Sequence, residues 1–298
     1  MNKQISKNRA ALELLFAGAL WGFGFLATKW ALIDFSVADV LFYRYLLAFL
    51  IGEICLLVFD RKLFFESFSE WSLALWPGIL LALLMIPQTI GLQTTTATKS
   101  AFITTLYVLI LPFLNQFFFR AKVDIKFYGL AFIALIGTMF LLNIFSESPD
   151  IITGDWWTLG SSVIAALQII AVGILAPRSK SSFRFNSFQN FWTLICILPL
   201  YLTQDKLAWN SGSLISWYGI FQLAIGSSIV AFTIQVRAQK TISSETASQF
   251  FLLESPFAFL FGYIFLNETL APLQLMGAAI ILITTYLTLK VEQTSHSK

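Results

Sequence analysis

Ten apolar runs of about 20 residues recur along the chain between residues 10 and 290. That length is what an α-helix needs to cross the roughly 30 Å hydrocarbon core of a bilayer. A backbone in lipid must pair its polar groups within its own segment, so helices are the default. The runs predict helices at 10–32, 37–59, 72–92, 99–119, 126–145, 156–175, 184–203, 214–237, 246–266 and 271–290. Charged residues make up only 12% of the 298, about half the roughly 25% of a soluble domain and too few to cover a soluble globule. The expected fold class is an all-α integral membrane protein with ten transmembrane helices. Lys3, Lys7 and Arg9 before the first run resemble a signal-peptide flank. That run continues to about Leu32, so it reads as an uncleaved first helix.

The charges give the direction. Fifteen of the nineteen lysines and arginines fall on one side, including Arg61, Lys62, Arg120, Lys122, Arg178, Lys180, Arg237 and Lys240. Lys29, Lys99 and Lys206 fall on the other, and Arg44 lies inside a span. The positive-inside rule then places both termini in the cytoplasm. The loop 146–155 carries Glu147, Asp150 and Asp155 and no positive charge, which suits the outer face.

Five spans per half invite a search for duplication. Shifting the chain by 148 residues lays Gly78 on Gly226, Ser100 on Ser248, Phe102 on Phe250 and Gly129 on Gly277. Because five is odd, the second copy enters the membrane from the opposite face. The expected organisation is two inverted five-helix repeats, 1–145 and 156–298, joined by an external linker, 146–155. Inverted repeats are common in secondary transporters, with the solute site near the midplane between the halves.

Charges at a span centre cost about 2.5–3.5 kcal/mol on insertion scales and mark a pathway or a pair. Four are candidates: Glu13, Arg44, Glu53 and Glu254. Glu13 is close enough to the cytoplasmic surface to reach water, and Glu53 is deeper on the same side. Arg44 lies about 10 Å from the outer face and Glu254 about 13 Å from the inner one, at 1.5 Å per residue. The difference in depth is on the order of 8 Å across a 30 Å core, so the two could bridge the halves. Alternatively, Glu254 could bind an amino group or take up a proton, or lie protonated against a neighbouring helix. Pro256 removes a backbone donor and bends the ninth helix beside it. Trp21, Gln168, Ser227 and Ser228 lie at similar depth, with Tyr107 and Gln88 nearer the outside. Together with Arg44 and Glu254 they form the expected solute-binding set. Trp71, Trp76, Trp156, Trp157, Trp209, Trp217 and Tyr201 read as interfacial anchors.

WGFGFLATK (Trp21–Lys29), FYRYLLA (Phe42–Ala48), TTTATKSAFITTLY (Thr94–Tyr107), LLESPFAFLFGYIFLNE (Leu252–Glu268) and QLMGAAIIL (Gln274–Leu282) occur in this order. In these motifs and their spacing the chain resembles the EamA family of the drug/metabolite transporter superfamily. The resemblance covers nearly the whole chain. It implies ten helices in two inverted repeats in a bacterial cytoplasmic membrane, and export of an amino acid or related amphipathic metabolite. It also implies a glycine-glutamate ending to the fourth span, like Asn267–Glu268 in the second copy, where this chain has Arg120–Ala121.

An enzyme is the rival from a different class. The only histidine, His296, is in the tail, and no HExxH, GxSxG or GxxxxGK motif occurs. No enzyme activity, cofactor or metal is expected. The expected partners are a small solute and membrane lipid, with protons as a candidate coupling ion and no nucleic acid. The alternatives are a carrier of nucleotide-type or cationic drug-like solutes, and a non-transporting accessory subunit. Nucleotides would need several buried cations, and only Arg44 is deep. Cys55 and Cys196 read as buried thiols. Oligomeric state, direction and coupling are not encoded legibly.

Overall fold

The computed structural model describes residues 7–66, 69–119, 125–142, 152–204 and 212–295, and those residues form helices and short connections with no strand. The helices are α1 (Lys7–Ala31), α2 (Val37–Phe59), α3 (Arg61–Glu66), α4 (Glu70–Leu73), α5 (Leu75–Thr94), α6 (Ala97–Thr104), α7 (Tyr107–Phe119) and α8 (Ile125–Leu141). They continue as α9 (Thr153–Leu175), α10 (Ser182–Leu202), α11 (Leu214–Gln222), α12 (Phe232–Ala238), α13 (Ser244–Phe251), α14 (Glu254–Leu266) and α15 (Pro272–Ser295). Every run predicted from the sequence contains helix. The short α3 and α4 between the second and third runs were not anticipated.

Among the described residues, six rods are long and apolar enough to cross a membrane: Leu12–Ala31, Val37–Phe59, Leu75–Thr94, Ala97–Phe118, Thr153–Arg178 and Leu214–Ala238. The remainder are shorter or more polar. α10 is long, but it carries Arg184, Asn186, Ser187, Gln189 and Asn190, all buried inside the protein. These residues form the polar stripe that faces its neighbours.

Side chains fix the helix starts by satisfying orphan backbone donors. At α2, Ser36 Oγ accepts from Asp39 N while Asp39 Oδ2 accepts from Ser36 N, both at 3.1 Å. α6 begins with Thr96 Oγ1 accepting from Lys99 N at 3.0 Å. Glu268 reaches across from the end of α14 and accepts from Ala97 N and Thr98 N at 2.8 and 2.9 Å. It thereby places a negative charge at a helix N-terminus. Asn267 makes this corner possible by ending α14 in the left-handed conformation, with φ of 54°. The corresponding Arg120–Ala121 corner lies outside the described residues.

α1 packs along α14 and α11, α5 along α9 and α10, α2 along α10, and α8 along α15. Small residues allow the closest crossings. A Cβ on Gly22 would lie 2.6 Å from Phe257 Cβ and 2.7 Å from the Glu254 carbonyl, so only glycine admits α14 this close to α1.

Two rods are broken. The chain turns at Thr105–Leu106 between α6 and α7, and at Leu252–Leu253 between α13 and α14. The breaks touch: Ser255 Oγ donates to the Ala101 carbonyl and to Thr105 Oγ1, both at 3.2 Å. Pro256 accounts for the second break, because it cannot donate to the Leu252 carbonyl; Ser255 N bonds that oxygen instead, at 3.1 Å. A third irregularity is a π-helical stretch, Leu223–Ala231, between α11 and α12. Such widened turns occur often at functional sites.

Tyr201 is not an interfacial anchor. It is buried and stacks on Phe42 at 3.8 Å between ring centroids. Trp76, Trp156 and Trp157 are exposed on the apolar exterior. Trp71 packs against Trp192 at 4.5 Å, and Trp209 lies outside the described residues.

Candidate functional site

The breaks and the π stretch surround a cleft of about 610 Å³ of atom-free space, mouth included. Seven predicted residues line it: Trp21, Arg44, Gln88, Tyr107, Gln168, Ser227 and Glu254. The apolar wall comes from Phe25, Leu84, Leu92, Phe232 and Phe251. Glu254 is the first residue of α14 and Tyr107 the first of α7, so the two helix restarts deliver both groups to one place.

Several polar atoms on this surface are not matched among the described residues. The Trp21 indole N–H, Gln168 Nε2 and Gln235 Oε1 are buried without a hydrogen-bond partner there, and the Tyr107 hydroxyl lies beside the Glu254 carboxyl. Unmatched buried polar groups are costly and scarce; several lie on this cleft and others elsewhere among the described residues. Trp21 is held by its ring: it packs against Phe232 at 5.2 Å and Phe251 at 5.0 Å. Gln88 Nε2 donates to Thr104 Oγ1 at 3.2 Å. Ser227 Oγ donates to the Leu20 carbonyl at 3.2 Å. Gln168 does two things at once: its Oε1 accepts from Gln235 Nε2 at 3.1 Å while its Nε2 is left for the cleft.

Arg44 and Glu254 do not form the bridge that their depths suggested. Arg44 donates from Nε to Ser228 Oγ at 2.8 Å and from one terminal nitrogen to Met85 Sδ at 3.4 Å. Its guanidinium lies 5.1 Å over the Tyr45 ring. Among the described residues it meets no carboxylate, although it is only 5% exposed. Glu254 is 7% exposed and meets no cation among them. Both side chains line the same cleft without an ion-pair partner there. Ser228 is fully buried and is not among the residues lining the cleft; its hydroxyl accepts from Arg44 Nε.

The other two intramembrane acids are paired. Glu53 accepts from Arg184 at 2.5 and 2.6 Å, and Glu13 meets Arg237 at 2.7 Å.

Depth arithmetic missed Gln235, Thr28 and Thr104, which also line the cleft. Gln235 lies eight residues beyond Ser227, a spacing that keeps both on one helical face, and that spacing was the available signal.

Helices of membrane-crossing length around a buried, partly polar cleft mark the chain as a multi-pass membrane protein. It belongs to the EamA-like transporter family, which it matches over residues 8–143 and 152–290. It is 26% identical over 275 residues to an uncharacterized transporter of Archaeoglobus fulgidus, covering 92% of this chain and 83% of that one. It is also 26% identical over 220 residues to a WAT1-related chloroplastic protein of Arabidopsis thaliana, covering 66% of this chain and 49% of that protein. A solved crystal structure superposes with a TM-score of 0.67 at 16% identity, covering 94% of this chain and 96% of that one. At that identity the likeness speaks for the fold alone.

Proposed function

We propose that the protein is a secondary carrier for a small zwitterion of the amino-acid type, exporting it across a bacterial cytoplasmic membrane by alternating access. The observation that carries this reading is a buried arginine and a buried glutamic acid on one cleft with no ion pair between them. Glu254 would take the ammonium group and Arg44 the carboxylate. Each buried charge is then satisfied only when the right solute is present, and such complementarity is the basis of selectivity. The apolar wall of Phe25, Leu84, Leu92 and Phe232 suits a hydrocarbon side chain. Trp21, Tyr107, Gln168, Gln88 and Ser227 complete the proposed site, and Ser228 supports it.

The moving parts in this proposal are two inverted five-helix halves, 1–145 and 156–298, on either side of the linker 146–155, with both termini cytoplasmic. Two features support a repeat. The family matches in two successive stretches. The helix contacts also obey a two-fold rule: α1 meets α14 as α9 meets α6 and α7, and α5 meets α9 as α1 meets α11. Protons are the proposed coupling ion, since an unpaired carboxylate facing the solute can exchange one.

Reconstitution tests the reading. Liposomes holding only this chain should exchange labelled leucine against internal leucine, saturably. Leucine exchange no faster than in empty liposomes would contradict the proposal. A preference for lipophilic cations would favour the cationic-drug reading, and no flux of any solute an accessory role.

A further inference from the structure

Arg44 and Glu254 line one cavity, yet Arg44 does not close on Glu254. The tether is Ser228, whose hydroxyl accepts from Arg44 Nε at 2.8 Å. Met85 sulfur and the Tyr45 ring, the other contacts, are far weaker acceptors. Ser228 is itself fixed from behind. It lies in the π-helical stretch. Asn186 on α10 donates from Nδ2 to two successive carbonyls there, Ser228 at 2.8 Å and Ile229 at 3.1 Å. Asn190 adds a contact to the Ser228 carbonyl at 3.4 Å. Asn186 and Ser228 are 1% and 0% exposed, so neither has water as a substitute partner.

We propose that Asn186 and Ser228 act as positioning residues: a strut between α10 and the π stretch that holds Arg44 away from Glu254 and keeps both charges available to a solute. The use of the strut rests on the zwitterion reading; its existence does not. In a chain lacking it, Arg44 falls onto Glu254 and the site neutralises itself.

A double-mutant cycle reads this without any solute. Thermal midpoints are measured in detergent for Arg44→Met, Glu254→Gln and the double variant, in the wild-type and Ser228→Ala backgrounds. In the wild type the two effects add, because the charges do not touch. In Ser228→Ala they depart from additivity by about 2–4 °C, which for a chain of this size marks a newly formed pair. Ser228→Thr, which keeps the hydroxyl, restores additivity. Additivity in both backgrounds, or coupling already present in the wild type, overturns the strut. If Ser228→Ala does not fold, the same cycle in Asn186→Ala decides, with the same outcomes.

Leucine binding measured on the same variants separates the two claims. Ser228→Ala should weaken leucine binding about tenfold or more, the scale of a lost charge-assisted contact. If leucine binds no variant, wild type included, while coupling emerges in Ser228→Ala, the zwitterion reading fails and the strut stands. If leucine binds the wild type and coupling never emerges, the strut fails alone.

Discussion

Arg184 on α10 donates from one nitrogen to both carboxylate oxygens of Glu53 on α2, at 2.5 and 2.6 Å. Phe188 and Phe64 stack on the guanidinium, with centroids at 4.0 and 5.3 Å, and Ser187 adds a hydrogen bond to Glu53. Earlier on α2, Arg44 has an aromatic ring and a serine hydroxyl but no carboxylate among the described residues. The same helix thus carries an acid whose charge is consumed by structure and a base whose charge is not.

Breaking the Glu53–Arg184 pair should destabilise the fold. Arg184 is 2% exposed, so Glu53→Gln leaves a buried cation uncompensated, at about 3 kcal/mol. The double variant Glu53→Gln/Arg184→Met should recover part of that loss. Thermal midpoints in detergent check both, at about 2–4 °C per kcal/mol for a chain of this size.

The crossing of α1 and α14 makes a second test. Gly22→Leu puts carbon where Phe257 Cβ and the Glu254 carbonyl already lie, at 2.6 and 2.7 Å from the first atom added. Overpacking of this kind costs about 1–3 kcal/mol. It should also displace the start of α14, so solute binding is expected to fall even where the protein still folds. Parallel measurements of midpoint and leucine binding read the two effects.

The sequence was most legible where one coordinate sufficed. Depth along each run brought Trp21, Arg44, Gln88, Tyr107, Gln168, Ser227 and Glu254 onto one list, and the fold sets all seven around one cleft. Depth says nothing about which way a side chain faces. Ser228 was therefore placed in the site when it lies behind it, and Gln235 was left out. The Arg44–Glu254 bridge was a fair guess from depth, but Ser228 had claimed the guanidinium. Pro256 announced one helix break. The other, at Thr105–Leu106, has no proline at the matching place; the Thr105 hydroxyl, bonded to the Phe102 carbonyl at 2.8 Å, belongs to an arrangement visible only in three dimensions.

Asp34, in the turn between α1 and α2, makes a pH prediction outside the spans. Hydrogen bonds from the Ser213 hydroxyl and backbone, then from Ser216, hold its carboxyl below its ordinary 3.8. A depressed folded-state value means stability that is present at neutral pH and lost as pH falls through the carboxylate range. Asp34→Asn should therefore lower the midpoint at pH 7 more than at pH 3. Equal effects at both pH values would mean that the charge contributes nothing.

The central claim is that two separate charges read the two ends of one solute. Calorimetric binding of leucine, 3-methylbutylamine and 4-methylpentanoate to the wild type, Glu254→Gln and Arg44→Met tests it most directly. The wild type should prefer leucine to either analogue by about tenfold or more. Glu254→Gln should lose the preference for leucine over the acid, and Arg44→Met the preference for leucine over the amine. Loss of both preferences in either variant alone, or an unchanged pattern in both, would contradict the account.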